Sequence, residues 1–141
     1  MMPGHQQDSQ QIAAIIEQYR RGFATLDVAA LTGIWDQNYA HIIYIAQEMA
    51  EPVQGWVGVE RYYQRVAGFL EQVKTMEVSD VSIDVLGEVA YAFLSFHFEG
   101  EVNGRPHIAD GRVTFLLRRT SEAWKVIHYH ESRPGDSLSE A

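Results

Sequence analysis

Two histidines one residue apart close the last β-rich run of the chain, Trp124-Lys125-Val126-Ile127-His128-Tyr129-His130-Glu131-Ser132. In a strand, alternation groups Trp124, Val126, His128, His130 and Ser132 on one face. Imidazole titrates nearest neutrality, so such a pair suits proton transfer. The same pair also suits plain hydrogen bonding across a sheet, because a buried polar group needs a partner whether or not it does chemistry. In the preceding run Asp110, Arg112, Thr114 and Leu116 share a face, and Val113, Phe115 and Leu117 form an apolar opposite face. Asp110 and Arg112 are close enough to pair, either as a carboxylate oriented by its arginine, with the arginine free to clamp an anion, or as an ordinary ion pair. The candidate catalytic groups are therefore His128, His130 and Asp110. Arg112 and Thr114 are candidate ligand contacts. A bulge in either strand would exchange the faces locally.

Two further features bear on chemistry. His97 or His107, on neighbouring runs, would complete a three-ligand metal site with the His-x-His pair, as in a barrel of the cupin kind. Three helices upstream argue against such a barrel, and we expect no metal and no cofactor. Aromatic side chains, among them Trp35, Tyr44, Trp56 and Tyr63, suit either an ordinary core or the wall of an apolar pocket. These four and His97 complete the candidate ligand-binding set.

The elements that must position these residues are legible in the periodicity. Ile12, Ile15, Ile16, Tyr19, Phe23 and Leu26 recur at helical steps and predict a helix from about Ser9 to Thr25, with Asp8 and Gln11 as a capping box. Asp27 can cap a short second helix carrying Leu31, Ile34 and Trp35. Tyr39–Ala46 reads as a strand, and Gly58–Lys74 returns to helical spacing. Four β-rich runs follow, at 75–86, 89–102, 105–119 and 124–132, and Asn103-Gly104 is the strongest turn signal between them. Helices gathered early and hairpin strands gathered late imply an α+β domain rather than a parallel βαβ sheet. Residues 1–8 and 133–141 are expected to be flexible ends of one domain spanning 9–132.

The composition excludes several functions. The 141 residues have a formal net charge of −8 and no cysteine. Disulfides, thiolate metal sites and a cysteine nucleophile are therefore ruled out. The charge and the lack of a basic stripe exclude nucleic acid as a partner. With no signal-like start and every apolar stretch interrupted by charge, we expect a cytoplasmic protein with no membrane partner.

Arg112-x-Thr114, Leu117-Arg118-Arg119, a short turn, Trp124 and His128-x-His130-x-Ser132 together resemble the C-terminal signature of SnoaL-like proteins of the nuclear transport factor 2-like superfamily. Val126–His130 with Ser132 is also similar to the end of the calcium/calmodulin-dependent protein kinase II association domain. The resemblance covers about residues 11–132. It implies three helices on a strongly curved, mostly antiparallel sheet, a cone-shaped cystatin-like roll with an internal pocket. Association domains carry pocket arginines, whereas Glu131 follows the second histidine here. The superfamily's isomerases and cyclases use an aspartate base, for which Asp36 and Asp110 are the nearest candidates. The resemblance implies a pocket protein for a small apolar or carboxylate-bearing molecule, of isomerase, dehydratase or cyclase type. The alternative is an oligomerisation module like the kinase hub. A homodimer or larger oligomer is expected on either reading. Within one protomer, Arg112, His128 and His130, with His97 and Tyr63, are expected to converge in one aromatic-walled cavity.

Overall fold

The computed structural model of the chain describes residues 3–135. Three helices, α1 (Pro3–Thr25), α2 (Val28–Thr32) and α3 (Trp56–Phe69), pack against one six-stranded sheet. The strands are β1 (Ile43–Ile45), β2 (Val53–Gln54), β3 (Gln72–Leu86), β4 (Val89–Val102), β5 (Arg105–Arg119) and β6 (Trp124–Ser132), in the order β2-β1-β6-β5-β4-β3. Only β1 and β6 run parallel, with Tyr44 opposite Tyr129; every other pair is antiparallel. The sheet curls around the helices without closing, so the expected α+β architecture is the one found. No described helix is long and apolar enough to cross a membrane.

Helix α1 turns Ile12, Ile16 and Tyr19 inward at steps of four and three, and all three are buried. The helix starts at Pro3, ahead of the expected Ser9 and inside the segment expected to be flexible. Asp8 therefore does not cap it. Instead, the Asp8 carboxylate is buried and accepts from the Arg119 guanidinium at 2.8 and 2.7 Å and from Trp124 Nε1 at 3.0 Å, tying α1 to β5 and β6. Asp27 caps α2 as expected, accepting from the Ala30 N–H at 3.1 Å.

Helix α3 ends at Phe69 rather than Lys74, because Gln72 and Val73 pair with Glu101 and Gly100 of β4 and the ladder overrides local helical spacing. The predicted strand at 39–46 shrinks to Ile43–Ile45. Its first half is spent on turns, with the Tyr39 N–H bonded to the Asp36 carbonyl at 3.1 Å. The hairpin β4–β5 turns on Asn103 and Gly104, whose φ values of 51° and 74° are the left-handed pair that a tight two-residue turn demands.

Pairing of β5 with β6 shifts between Leu116 and Leu117, which face His128 and Val126. Ile127 is the extra residue of a bulge. Before it, Trp124 and Val126 point into the core; after it, Tyr129 and Glu131 point in, and His128, His130 and Ser132 point out. The expected common face of Trp124, Val126 and the two histidines is thus divided, as an inserted residue requires. Along the middle of β5 and β4 the inner face is apolar, with Val113, Phe115, Leu117, Ala92 and Leu94 each at most 1% exposed.

Candidate functional site

Between α1, α3 and the inner face of β3–β6 lies a cavity of about 610 Å³. Phe23, Val66, Leu70, Met76, Phe96 and Phe98 form an apolar part of its wall, all but Leu70 placed by the inward period of a helix or strand. Gly111 gives the wall room. A Cβ there would lie 2.4 Å from the Phe96 ring and 3.0 Å from the Gln47 side-chain nitrogen, so only glycine lets both reach across β5.

A carboxyl, that of Glu131, stands against this apolar surface. The bulge in β6 turns Glu131 inward, where its Oε2 accepts from the Tyr129 hydroxyl at 2.5 Å and its Oε1 from the Gln47 backbone N–H at 3.1 Å. With the Tyr129 proton committed to Glu131, the Tyr19 hydroxyl, 2.8 Å away, donates to Tyr129, giving a relay Tyr19–Tyr129–Glu131. No described cation pairs with Glu131. Burial is the main cause that raises its pKa from 4.5 to about 7; the bonds from Tyr129 and Gln47 oppose this, and the nearby Glu48 charge adds to it. A carboxyl so placed exchanges its proton near neutral pH, which is what general acid–base chemistry needs. Burial also raises Tyr19 and Tyr129 well above the ordinary phenol range, so both remain neutral donors. At the rim, the Tyr62 hydroxyl donates to Glu48 at 2.6 Å, and Phe69 and Ile108 are exposed.

Apart from Trp56, the residues singled out from sequence fall into three places. Arg112, Thr114, His128, His130 and Ser132 do assemble, with Phe93 and Leu116, but in a shallow depression of about 290 Å³ on the outer face of the sheet. There Arg112 Nε donates to Ser132 Oγ at 3.0 Å, and a terminal guanidinium nitrogen donates to the Arg133 carbonyl at 3.1 Å. Burial, and then the neighbouring His130, lower the His128 pKa. Asp110 does not pair with Arg112. It faces His97 across the β4–β5 ladder at 2.6 Å, and that bond raises the His97 pKa. Trp35, Tyr44 and Tyr63 form the third group, buried in the core: Trp35 Nε1 donates to the Tyr63 hydroxyl at 3.0 Å, and Tyr44 stacks on Tyr129 at 4.3 Å. Trp56 is half-buried at the start of α3.

The expected single cavity is therefore split by the sheet, with Tyr63 on the inner side and Arg112, His97 and both histidines on the outer. Asp36, the other candidate base, is bound to Arg118 at 2.7 Å, and that guanidinium lies over the Tyr39 ring. His107 stands on the cavity rim beside Phe98, away from His128 and His130. Among the described residues no group of three or more metal-ligating side chains converges. Sequence reasoning missed Glu131, Tyr129, Gln47 and Glu48 as site residues. The available signal was the Tyr129-x-Glu131 step that spans the second histidine, legible only once the bulge is known.

A curled sheet with helices over its concave face, and between them a cavity into which the half-buried Glu131 turns, make an α+β fold with an internal cavity. The SnoaL-like domain family matches residues 12–136, and the chain belongs to that family. Similar solved structures include a nuclear transport factor 2-like superfamily protein from Salmonella enterica serovar Typhimurium, 20% identical, covering 97% of this chain and 99% of that one with a TM-score of 0.82. A candidate scytalone dehydratase from Novosphingobium aromaticivorans is 10% identical over 96% and 89% of the two chains, with a TM-score of 0.82. A candidate calcium/calmodulin-dependent protein kinase type II association domain from Thiobacillus denitrificans is 15% identical over 87% and 94%, with a TM-score of 0.73. No curated protein matches the sequence.

Proposed function

We propose that the chain is a cytoplasmic small-molecule pocket protein that performs acid–base chemistry on an apolar, ring-containing ligand, with Glu131 as the proton-transfer group. The observation that carries this is a half-buried, inward-facing carboxyl, held only by neutral donors, in a mostly apolar cavity. Isomerisation and dehydration both need one group that takes a proton from carbon and returns it to carbon or oxygen. A carboxyl titrating near 7 does both at neutral pH. The Tyr19–Tyr129 relay holds the carboxyl in one orientation, and Glu48 with Tyr62 offers a second polar contact at the rim. The likeness to a candidate dehydratase agrees with this reading at the level of fold.

The outer face of the sheet has a different role in this proposal. Tyr91, Leu116, Val89 and Leu86 are exposed there beside the Arg112 and histidine depression, and a second copy of the chain covers them as a homodimer. The test of the pocket is a thermal-shift screen of neutral ring ketones and alcohols on the wild type and on Val66→Trp, which fills the cavity. Ligands should raise the melting temperature of the wild type only, and Glu131→Gln should bind them without turnover. A screen in which nothing shifts the wild type, or in which Val66→Trp shifts equally, overturns the reading.

A further inference from the structure

The polar groups set against the apolar wall of the cavity include two carboxyls, Glu131 and Glu48. Glu131 lies within the apolar wall and Glu48 at its rim, and neither forms an ion pair with a described cation. Arg133 and His107 also line the cavity, but neither is within ion-pair distance of Glu131 or Glu48. The groups whose charge or phenol bears on Glu131 come from every side: Tyr19 of α1, Tyr44 of β1, Tyr62 and Tyr63 of α3, Tyr129 of β6, and Glu48 of the loop after β1. All are phenols or carboxyls; none supplies positive charge. The rest of the lining offers the rings of Phe23, Phe69, Phe96 and Phe98, whose faces attract cations.

Resting on the pocket reading above, we infer that the polar handle of the ligand is a cation: the cavity takes an apolar ring compound bearing a protonated amine, seated against Glu131. An anion would meet two carboxyls there and no buried partner. A neutral alcohol would gain only a hydrogen bond. An ammonium gains a charge-assisted bond to Glu131, attraction to Glu48 and the aromatic faces, and it supplies the counter-charge that the half-buried carboxyl lacks.

Three bicyclic probes that differ only in the handle test this by calorimetry on the full chain: tryptamine, tryptophol and indole-propionate. Tryptamine should bind at least about tenfold more tightly than tryptophol, and indole-propionate more weakly than either. Because the bound amine favours ionised Glu131, affinity for tryptamine should rise about tenfold between pH 6 and pH 8 and release a proton at the lower pH, while tryptophol affinity stays level. Glu131→Gln should abolish both the preference and the pH slope yet keep tryptophol binding. The pH profile is read on the wild type and so does not depend on that variant folding. Tryptophol binding as tight as tryptamine, with no pH slope for either, overturns the cation inference and leaves the pocket intact. Failure of all three probes, or tryptamine binding that survives Val66→Trp, overturns the pocket reading with it.

Discussion

Replacing Glu131 by glutamine should make the protein more stable at alkaline pH and less stable at acid pH. In the folded state the carboxyl titrates at about 7, against 4.5 for an ordinary glutamate. Its folded pKa is raised, so the folded state holds the proton more tightly than the unfolded chain does. That contribution is fully present below about pH 4.5 and is lost as pH rises through about 7. At 1.36 kcal/mol per pKa unit, the gap from 4.5 to about 7 makes the wild type about 3 kcal/mol less stable at pH 8 than at pH 4 on this account alone. Glutamine carries no charge and escapes that loss. Its amide can copy the protonated carboxyl, accepting from the Gln47 N–H and donating to the Tyr129 oxygen, but its second N–H then lacks a partner, which costs about 1 kcal/mol at any pH. The variant should therefore be about 1 kcal/mol less stable than wild type near pH 4 and about 2 kcal/mol more stable near pH 8. Urea titrations at both pH values and one fixed protein concentration measure this, with equal m-values required for the comparison. If the stability difference between variant and wild type does not change sign across that range, Glu131 is not a desolvated carboxyl and its role as an acid–base group fails with it.

Three other outcomes follow from the same geometry. Asp8→Asn, which keeps an acceptor for the buried Trp124 N–H, should be better tolerated than Asp8→Ala, which orphans it at a cost of roughly 1–3 kcal/mol in chemical denaturation. Equal losses would show that the Trp124 bond is not what the carboxylate supplies. Gly104→Val forces a β-branched residue to φ 74° and should cost about 1–2 kcal/mol or more, whereas Gly68→Ala, in α3 with open space for a Cβ, should stabilise slightly. On the outer face, Leu116→Glu should convert a dimer to a monomer in light scattering without altering the circular-dichroism spectrum; a wild type that is already monomeric at micromolar concentration refutes the proposed interface.

How far the sequence could be read depended on whether a signal was local. The strands at 89–102, 105–119 and 124–132 match their predicted bounds because Asn103-Gly104 and the turn after Thr120 punctuate them chemically. Asp27 was legible as a cap because capping involves only the next three residues. Asp8 was not, because its meaning lies 111 residues away in Arg119. Helix α3 was overextended for the same reason: Gln72 and Val73 are claimed by β4, and no helical period reports that. The site failed on one residue. Strict alternation puts Glu131 opposite His130, which is correct, but it also groups His130 with Trp124 in the core, and the extra residue at Ile127 makes that grouping false. With the histidines assigned inward, the search for an acid–base group went to them and not to the carboxyl between His130 and Ser132.

The way the chain treats its inward carboxyls separates structure from chemistry. Asp8 and Asp36 are both less than 10% exposed, and each is met by an arginine, Arg119 and Arg118, at 2.7 Å. Those pairs fasten α1 and the segment after α2 to the same end of β5, and each arginine also covers an aromatic ring, Trp124 or Tyr39. A carboxyl that only holds elements together is thus met by a cation at hand. Glu131 receives a phenol and a backbone N–H instead, and it faces a second carboxyl rather than a guanidinium. Arg112, on the adjacent strand, is turned to the other side of the sheet and bonded to Ser132 and the Arg133 carbonyl. Fastening the sheet does not require that arrangement, since a neutral side chain at 131 would remove the burial cost. What it provides is a proton that can leave or return near pH 7 inside an apolar chamber, and that is a property of a site rather than of a scaffold.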